Sequence, residues 1–545
     1  MLRLYRANNI GRSLLASSPF RTVGRHGCRY FQNNSQHGIT LLSPSEVSEK
    51  LRELEESYII ERRKGVLRYD VAQLASNLPI EDDRSEKIVQ VQVAEDAPDG
   101  TLKVTHSDWM FWGIFDGHSG WTTSAKLRDD IINFVLTQLD TVYPKRSPNG
   151  EDKLRLLPKS RAEIDRAIEN GFLQLDEEII SKSIDRVVNT EHTSEAFEHV
   201  VAPALSGSCA LLAFYDSYSS ELKVALTGDS RAILGTLNHA DKETGEPSED
   251  QAEWKVTQLS VDQTCTNKAE VERIKAEHPN EPGVIKRERV LGTLEPTRCF
   301  GDATYKWSQE YQTKLSEREN YWFNHHMWNN YLTPPYITAK PVITSTKIDL
   351  KNGVSFLVLA SDGLFELLSN EEIVGLVADW IEAKSPKYLS TIKKDSIWTR
   401  VFGNIKKKHD EGEATTKIDP DVDSLPIRRR KKPHFIVEDD NVSTHLIRNA
   451  LGGADIEQVS MLVSIPAPIS RNYRDDLTVT VVFFGEKKSV ITNDPITSNG
   501  QQVIVSTGKD NDDLFGNIKI NEKATRSTLK THIKAKMWEK DIKKI

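Results

Sequence analysis

The chain has 545 residues, a hydrophobic fraction of 38% and a formal net charge of −8. This length allows one large domain with insertions or a few ordinary domains, and the mild charge argues against a nucleic-acid-binding surface. No apolar run approaches the ~20 residues that a membrane-spanning helix needs, so no integral membrane segment is predicted. The four cysteines are scattered without a CxxC pair, which argues against a zinc ribbon or a disulfide framework and fits a reducing compartment.

The N-terminal residues differ in composition from the rest of the chain. Six arginines precede the first acidic residue, Glu46, and leucines are interspersed with serines. Such a start is typical of a mitochondrial transit peptide, and a disordered basic arm is the alternative. We therefore predict a transit peptide or disordered segment at residues 1–40 and a mitochondrial location, with the matrix favoured over the intermembrane space. A folded domain is predicted at residues 41–486, followed by a polar and basic appendage at residues 487–545.

Hydrophobic periodicity predicts both helices and strands along this domain. Apolar residues at helical spacing predict helices at residues 43–63, 121–139, 161–180, 267–278 and 440–452, and a capping box at residues 369–372 begins another. Alternating or continuous apolar runs predict strands at residues 88–93, 109–115, 207–214, 222–226, 354–360 and 477–483. Polar stretches at about 236–254 and 384–438 are predicted to be insertions.

One stretch joins a buried strand to residues that can carry chemistry. The aromatic run at residues 109–115 ends in Asp116, Gly117 and His118. Carboxylate and carbonyl oxygens are ligands of hard divalent cations, and an imidazole can move protons near neutral pH. In isolation Asp-Gly is more often an ordinary turn, so the rest of the chain has to decide between the two interpretations.

Acidic residues recur where apolar strands begin or end. Asp229 and Asp362 each adjoin a glycine at the end of a strand, Asp475 precedes a strand, and Glu81 and Asp82 stand beside another. Gathered at one rim of packed sheets, such carboxylates would repel one another and would require cations. We therefore predict a two-metal site that generates hydroxide for an in-line displacement at phosphorus. Because the chain has no GxxxxGK[ST] loop and no nucleophilic Ser or Cys motif, direct attack by metal-bound water is favoured over a covalent intermediate.

Six ordered motifs resemble those of the metal-dependent protein phosphatase 2C family over roughly residues 65–485: GIFDGHSG, SGSCALLAF, LTGDSR, TRCFGD, LVLASDGLFE and RDDLTVTVV. Within that family, SNLPIEDD, DGHSGW, TPPYITAKP and DNVSTHLIRNALGG look most like the mitochondrial pyruvate dehydrogenase phosphatase branch. The resemblance implies an α+β fold, a four-layer α/β/β/α sandwich of two central antiparallel sheets flanked by helices. It also implies hydrolysis of phosphoserine or phosphothreonine in a protein, with the pyruvate dehydrogenase complex as the expected substrate.

The same resemblance assigns metal-binding roles to individual positions. Asp116 would bridge two Mg²⁺ or Mn²⁺ ions, and the Gly117 carbonyl would bind one of them. Asp362 and Asp475 would bind the other ion, and Glu81 would act through metal-bound water.

The resemblance also implies roles beyond this pair of ions. His118 would be the general acid that protonates the departing serine or threonine oxygen, and Asp82 would be a supporting acid. Asp229 would hold a weaker third ion, which is in doubt because Glu366 stands where many members of the family have aspartate.

Asn77 stands where the broader family carries a phosphate-binding arginine. In SNLPIED it looks like the version of the pyruvate dehydrogenase phosphatase branch, so the phosphate would depend more on the metals, with Arg84 as an alternative contact. Two other functions stay open at this point. One is a non-catalytic phosphoprotein-binding protein that keeps the fold. The other is a hydrolase of small phosphate monoesters.

Overall fold

A computed structural model describes residues 40–60, 64–96, 102–143, 145–146, 154–156, 160–190, 194–238, 253–318, 331–350, 353–385 and 435–486. The C-terminal appendage and nearly all of the predicted transit peptide lie outside these ranges, as do most residues of both predicted insertions. The boundaries of these segments therefore stay predictions.

Strands form the centre of the described fold, and aromatic and β-branched residues are frequent in them because such side chains suit a pleated, buried surface. In chain order the strands are β1 Glu56–Ile59, β2 Lys64–Leu74, β3 Asp83–Asp96, β4 Leu102–Phe115, β5 Gly117–His118, β6 Lys145–Arg146, β7 Leu154–Leu156, β8 Gly207–Ser208, β9 Ala210–Asp216, β10 Glu221–Thr227, β11 Arg231–Asn238, β12 Glu253–Gln258, β13 Ile285–Lys286, β14 Arg289–Val290, β15 Phe300–Gly301, β16 Val342–Lys347, β17 Gly353–Ala360 and β18 Leu477–Glu486.

Helices cover the strands on both sides. In chain order the α-helices are α1 Pro44–Leu51, α2 Thr122–Val142, α3 Arg161–Glu177, α4 Ser183–Val188, α5 Ser194–Leu205, α6 Lys268–Glu277, α7 Gln309–Arg318, α8 Asp362–Phe365, α9 Asn370–Lys384, α10 Val442–Leu451 and α11 Ile456–Ser464. A π-helical turn at Glu178–Lys182 joins α3 to α4, and 3₁₀ turns occupy Ala303–Tyr305 and Ile469–Asn472. Within the ranges that the structure describes, no helix has both the length and the apolar character needed to cross a bilayer.

Two large sheets account for most of the strands. The first sheet has the order β1-β2-β18-β17-β11-β12 and is antiparallel throughout, so β18 lies in its interior between β2 and β17. The second sheet has the order β16-β10-β9-β4-β3-β7-β6 and is antiparallel except for the pairing of β3 with β7. β4 lies near the centre of the second sheet, between β3 and β9.

Side chains alternate between two buried faces along the central strands. On β4, Met110 and Trp112 belong to the core between the two sheets, whereas Trp109 and Phe111 pack with residues of α2 and α3. The outer face of the first sheet packs in the same way against α9, α10 and α11. The predicted α/β/β/α sandwich of two central sheets flanked by helices is therefore confirmed.

Most of the predicted elements are confirmed with shifted boundaries. The helices predicted at residues 121–139, 161–180, 267–278 and 440–452 correspond to α2, α3, α6 and α10. The capping box is present at the start of α9, where the Ser369 hydroxyl accepts a hydrogen bond from the Glu372 N–H at 3.2 Å and the Glu372 carboxylate accepts one from the Ser369 N–H at 2.9 Å.

The prediction of one helix over residues 43–63 is wrong in its second half. α1 ends at Leu51, and after a short turn the chain enters β1, an edge strand of the first sheet. Tyr58 of β1 stacks on Tyr69 of β2 with ring centroids 4.6 Å apart. Glu56 is buried in an ion pair with Arg84, with 3.0 Å between oxygen and nitrogen. Charged residues that suggest an exposed helix face are interior partners here, and such partners cannot be identified from spacing.

β2 escapes prediction for a related reason. Arg68 and Asp70 interrupt its apolar pattern, yet both are buried and are paired at 2.7 Å. The Arg68 guanidinium also lies over the Trp380 ring, 5.0 Å from the ring centroid. α5 is likewise not predicted, and it carries Pro203 within the helix.

Glu55, in the turn between α1 and β1, is a buried acid close to α10. Its Oε2 accepts a hydrogen bond from the Thr444 hydroxyl at 2.6 Å. Burial raises the pKa of Glu55 to about 7, against the lowering effect of the Thr444 hydrogen bond and of the Arg52 charge. The carboxyl group is therefore held protonated to an unusually high pH.

We expect Glu55→Gln to stabilise the protein at alkaline pH. An acid with a raised folded-state pKa contributes its full stability below its ordinary pKa of 4.5 and loses it as the pH rises through about 7. Relative to the wild type, the free energy of unfolding of the variant should be higher by about 1–3 kcal/mol at pH 8 and nearly equal at pH 4.5. Urea denaturation across this pH range measures the difference. Glu53→Gln is the control because the Glu53 side chain is 58% exposed, and parallel pH profiles for wild type and Glu55→Gln would contradict the expectation.

Candidate active site

Three of the predicted residues follow β4 and lie at one end of the sandwich. Asp116 follows its last residue, and Gly117 and His118 form β5, which pairs with β8. A Cβ at position 117 would lie 2.3 Å from the Glu81 carbonyl oxygen, so only glycine fits there. The segment is therefore a strand continuation packed against the loop that carries Glu81, and not the ordinary turn that Asp-Gly suggests in isolation.

Three of the predicted acids converge at this end. One carboxylate oxygen from each of Asp116, Asp229 and Asp362 lies within 4.8 Å of the others. Asp116 and Asp229 follow β4 and β10 of the second sheet, whereas Asp362 follows β17 of the first sheet. Strand ends from both sheets therefore meet here, as the recurrence of acids at strand ends predicts.

The gathered charges are costly in the absence of a counter-charge. Burial raises the pKa of Asp116 and of Asp362 well above the ordinary value of an aspartate, and repulsion from neighbouring acids raises both further. For Asp116 the strongest repulsion comes from Asp362, followed by Asp82, Asp229 and Asp475. Protons or cations must offset a cluster of this kind.

The donors of this cluster fit a hard divalent cation. The converging atoms are carboxylate oxygens, the ligands that Mg²⁺ and Mn²⁺ favour. Oδ1 of Asp362 is buried and has no hydrogen-bond partner among the described residues. Buried carboxylate oxygens are normally hydrogen-bonded, so this atom suits a cation ligand better than a structural acceptor.

A neighbouring acid, Asp476, holds the loop of Glu81 against the segment of Asp475. The Asp476 carboxylate accepts hydrogen bonds from the backbone N–H groups of Ser76 at 2.5 Å, Asn77 at 3.0 Å and Glu81 at 2.8 Å. Asp476 adjoins Asp475 directly before β18. Glu81 and Asp475 are thus brought to the same rim from positions that are far apart in the sequence.

Asp82 is buried behind the cluster and joins the two sheets. Its Oδ2 accepts hydrogen bonds from the Ser361 hydroxyl at 2.8 Å and from the Thr478 hydroxyl at 2.6 Å. Burial, reinforced by the charge of Asp476, raises its pKa well above the ordinary value. Because Ser361 directly precedes Asp362, this position fits a supporting acid.

His118 pairs with Asp302, which the sequence did not single out. Nε2 of His118 lies 2.5 Å from Oδ2 of Asp302, and the buried Cys299 thiol donates to the same oxygen at 3.1 Å. Burial lowers the pKa of His118, but the Asp302 carboxylate outweighs it, and the net pKa lies above the ordinary histidine value. The protonated imidazole is therefore favoured and oriented, as a proton donor requires.

Because Gly207 has no side chain, His118 and Asp302 have room to form their hydrogen bond. A Cβ at position 207 would lie 2.1 Å from Nε2 of His118 and 2.2 Å from Oδ2 of Asp302. Gly207 lies in β8, which pairs on one side with β5 and on the other with β15. This small three-stranded sheet brings together two side chains that are 184 positions apart in the chain.

Asn77 and Arg84, the two positions considered for phosphate binding, are both engaged in the fold. Nδ2 of Asn77 donates to Oδ2 of Asp476 at 3.0 Å, and a neutral amide offers no positive charge to a phosphate. The Arg84 side chain is buried between the sheets, where it pairs with Glu56 at 3.0 Å and Glu86 at 2.7 Å. The structure does not support Arg84 as the phosphate contact.

The position predicted for a third cation contains further polar groups. Asp229 accepts a hydrogen bond from the Cys209 thiol at 3.0 Å. Glu366 lies one helical turn after Asp362, and burial followed by the charge of Asp475 raises its pKa. A third ion at Asp229 stays a prediction.

Two residues that organise the site, Asp302 and Asp476, escape prediction from the sequence. Asp302 ends the motif TRCFGD and follows a glycine, as Asp229 does, so a signal was present. Asp476 directly follows a predicted ligand in the sequence. Its hydrogen bonds to the Glu81 loop, which distinguish its role, are visible only in the fold.

Carboxylates at the meeting strand ends of two stacked sheets, beside an oriented imidazole, define a metal-dependent hydrolase site. The family model named Protein phosphatase 2C matches residues 97–401, a range that includes Asp116, Asp229 and Asp362. The chain belongs to the protein phosphatase 2C family and is a protein phosphatase, as predicted.

Comparison with curated relatives identifies the branch of the family to which the chain is similar. It is 40% identical to the mitochondrial [pyruvate dehydrogenase [acetyl-transferring]]-phosphatase 1 of Saccharomyces cerevisiae, over 85% of this chain and 77% of that protein. It is 36% identical to a protein phosphatase 2C homolog of Schizosaccharomyces pombe, over 84% of this chain and 89% of that protein. It is 30% identical to the mitochondrial [pyruvate dehydrogenase [acetyl-transferring]]-phosphatase 2 of Homo sapiens, over 82% and 84%. The predicted resemblance to this branch is confirmed.

A solved structure of serine-threonine phosphatase 2C from Toxoplasma gondii is also similar, with 14% identity and a TM-score of 0.39 over 79% of this chain and 98% of that chain.

We expect Gly207→Ala to break the hydrogen bond between His118 and Asp302, because the added methyl group needs the space of Nε2 and Oδ2. The pKa of His118 should fall, since burial lowers it and the carboxylate would no longer compensate. An NMR titration of the imidazole, assigned by comparison with His118→Gln, measures the shift. Asp302→Asn should lower the same pKa without adding volume, and an unchanged pKa in both variants would contradict the role given to the pair.

Proposed function

We propose that this phosphatase hydrolyses phosphoserine and phosphothreonine with two divalent cations, Mg²⁺ or Mn²⁺. The observation that carries the proposal is the convergence of Asp116, Asp229 and Asp362 within 4.8 Å, including a buried Asp362 oxygen without a hydrogen-bond partner in the described ranges. Bound cations would neutralise the phosphate charge and lower the pKa of the attacking water. This chemistry also gives the repelling carboxylates their counter-charge.

The ligands of the ions would come from both sheets. Asp116, the Gly117 carbonyl, Asp362 and Asp475 would hold the two ions. Glu81 would take part beside them, and the loop that carries it is fixed to Asp476 next to Asp475. The weaker third ion would lie at Asp229.

The protein's own side chains would carry the proton transfer. A serine or threonine alkoxide is a poor leaving group, so protonation of the departing oxygen accelerates the reaction. His118 supplies this proton, and Asp302 keeps the imidazole oriented and protonated. Asp82 and its two hydroxyl donors hold the segment that precedes Asp362.

We infer that phosphorylated pyruvate dehydrogenase is the substrate and that the mitochondrial matrix is the location. The names of the relatives from Saccharomyces cerevisiae and Homo sapiens support this inference, as does the arginine-rich, acid-free start of the chain. The loops that carry Glu81 and Asp475 also expose apolar side chains, with Leu78 73% exposed and Ile469 51% exposed.

We expect Asp116→Asn to abolish hydrolysis of a phosphoserine peptide that depends on Mg²⁺ or Mn²⁺. The variant should also lose the rise in Tm that Mn²⁺ gives the wild type. Without metal, its Tm should be at least as high as that of the wild type, because one repelling charge is removed. Peptide hydrolysis and thermal denaturation, each with Mn²⁺ and with excess chelator, measure these effects.

Two controls separate the possible causes of lost activity. Asp129→Asn, which changes an aspartate that is 56% exposed on α2, should behave as the wild type. His118→Gln should keep the Mn²⁺-dependent rise in Tm but lose roughly 10²- to 10⁴-fold in kcat. Full peptide hydrolysis by the wild type in excess chelator would refute the metal mechanism.

The substrate assignment predicts a change in mitochondria that lack this protein. Phosphoserine occupancy on pyruvate dehydrogenase should rise and should return to normal when the wild type, but not Asp116→Asn, is restored. Quantitative phosphoproteomics measures the occupancy of every site in parallel. An unchanged occupancy on pyruvate dehydrogenase, with an increase on another protein, would refute this substrate while leaving the phosphatase mechanism intact.

A further inference from the structure

The site lacks a cation at the position where the broader family carries a phosphate-binding arginine. A phosphate monoester is a dianion, and guanidinium groups bind its oxygens through paired N–H donors. Asn77 occupies this position, and its amide donates to Asp476 instead. A side-chain cation that assists the metal ions in binding the phosphate would therefore come from another part of the fold.

Arginines near this position are committed to the fold. Arg84 pairs with Glu56 and Glu86 between the sheets. Arg474 is buried, and its guanidinium donates to the Ser76 hydroxyl at 2.7 Å and to the Ala75 carbonyl at 2.8 Å. Neither guanidinium can turn to a substrate without breaking interactions that hold the domain together.

Arg471 differs from these arginines in its exposure and in its partner. It lies in the 3₁₀ turn Ile469–Asn472, which is fixed to the Asn77 loop by a hydrogen bond of 2.8 Å from the Ser470 hydroxyl to the Ser76 carbonyl. The Arg471 side chain is 50% exposed, and its Nη1 forms an ion pair with Oδ2 of Asp475. Its partner is thus one of the acids proposed to bind a cation.

The Arg471 charge also acts on acids other than its partner Asp475. Burial raises the pKa of Glu81 and of Glu366, whereas the Arg471 charge lowers both. Its ion pair with Asp475 and its exposure place the guanidinium at the solvent-exposed edge of the site. A guanidinium has five N–H donors, and the ion pair with Asp475 engages Nη1, so a bound anion could be contacted from the same place.

We propose that Arg471 binds the phosphate group of the substrate, in place of the arginine that is absent at position 77. The ion pair with Asp475 keeps the guanidinium at the rim. This ion pair weakens when a divalent cation also binds the Asp475 carboxylate. The positive charge then faces the phosphate dianion and the product phosphate. This inference rests on the proposed metal-dependent function and identifies the group that binds the phosphate at that site.

The test compares Arg471→Gln and Arg471→Lys with the wild type in the presence of Mn²⁺. Arg471→Gln should weaken the binding of inorganic phosphate by roughly 10- to 100-fold, measured by calorimetry and as Ki for product inhibition. KM for a phosphoserine peptide should rise by a similar factor, and Arg471→Lys should lose less because it keeps the charge. The affinity for Mn²⁺ should stay equal or increase, since a positive charge beside Asp475 is removed.

Two further variants make the result specific. Arg52→Gln removes an arginine that is 38% exposed and pairs with Asp439 at 3.1 Å, and it should bind phosphate as the wild type does. Adding Asn77→Arg to Arg471→Gln should recover part of the phosphate affinity, because it places a cation at the position of the family arginine.

Three outcomes would overturn the proposal. They are a phosphate affinity of Arg471→Gln within twofold of the wild type, an equal loss in Arg52→Gln, or a loss of Mn²⁺ affinity that accounts for the loss of phosphate binding. If the wild type hydrolyses phosphopeptides with Mn²⁺ and Arg471→Gln is unaffected, only this inference fails. If the wild type shows no metal-dependent hydrolysis, the proposed function itself fails.

Discussion

The carboxylates repel one another where the strand ends of the two sheets meet. This repulsion destabilises the fold, and the rest of the structure has to compensate for it. Asp116 and Asp362 come from different sheets and lie within a few ångströms of each other. Two sheets that carry like charges at one end stay stacked only if burial elsewhere outweighs the repulsion. The core between the sheets, with large side chains such as Trp112 and Tyr215, supplies this burial. Function and stability therefore act in opposite directions at one end of the sandwich.

The polar contacts around the cluster keep the acids in place without neutralising them. Asp82 accepts hydrogen bonds from the hydroxyl groups of Ser361, directly after β17, and of Thr478 in β18. Asp476 accepts three hydrogen bonds from the backbone of the Glu81 loop. Glycines at 117 and 207 allow the backbone and the His118–Asp302 pair to approach closely. The chain thus fixes the positions of the acids through neutral donors, so that their charge stays available to a cation. Arg471 is the exception, because it is a charged partner placed at the exposed edge.

The sequence was informative where a residue's role follows from its place on a strand. The convergence of Asp116, Asp229 and Asp362 could be predicted because each follows an apolar run, and the ends of strands in packed sheets meet at the same edge. The layered fold was predicted from the resemblance of six motifs to those of the protein phosphatase 2C family. Prediction failed where charged residues neutralise each other in the interior, as with Glu56 and Arg84 or with Arg68 and Asp70. The sequence pattern shows which positions are polar, but it does not show which polar side chains will contact each other in the fold. Asp302 and Asp476 belong to the same class, since their partners are known only once the sheets are assembled.

The interior position of β18 has a consequence for the order in which the protein is made. The strand lies between β2, near the start of the domain, and β17, so the first sheet has a gap until the last residues of the domain are available. Asp475, Asp476 and Arg471 precede this strand directly and arrive with it. During synthesis, a nascent chain that ends before residue 470 carries Asp116, Asp229 and Asp362 but lacks the acid that fixes the Glu81 loop. The acids that complete the site therefore join it together and last, when β18 fills the gap between β2 and β17.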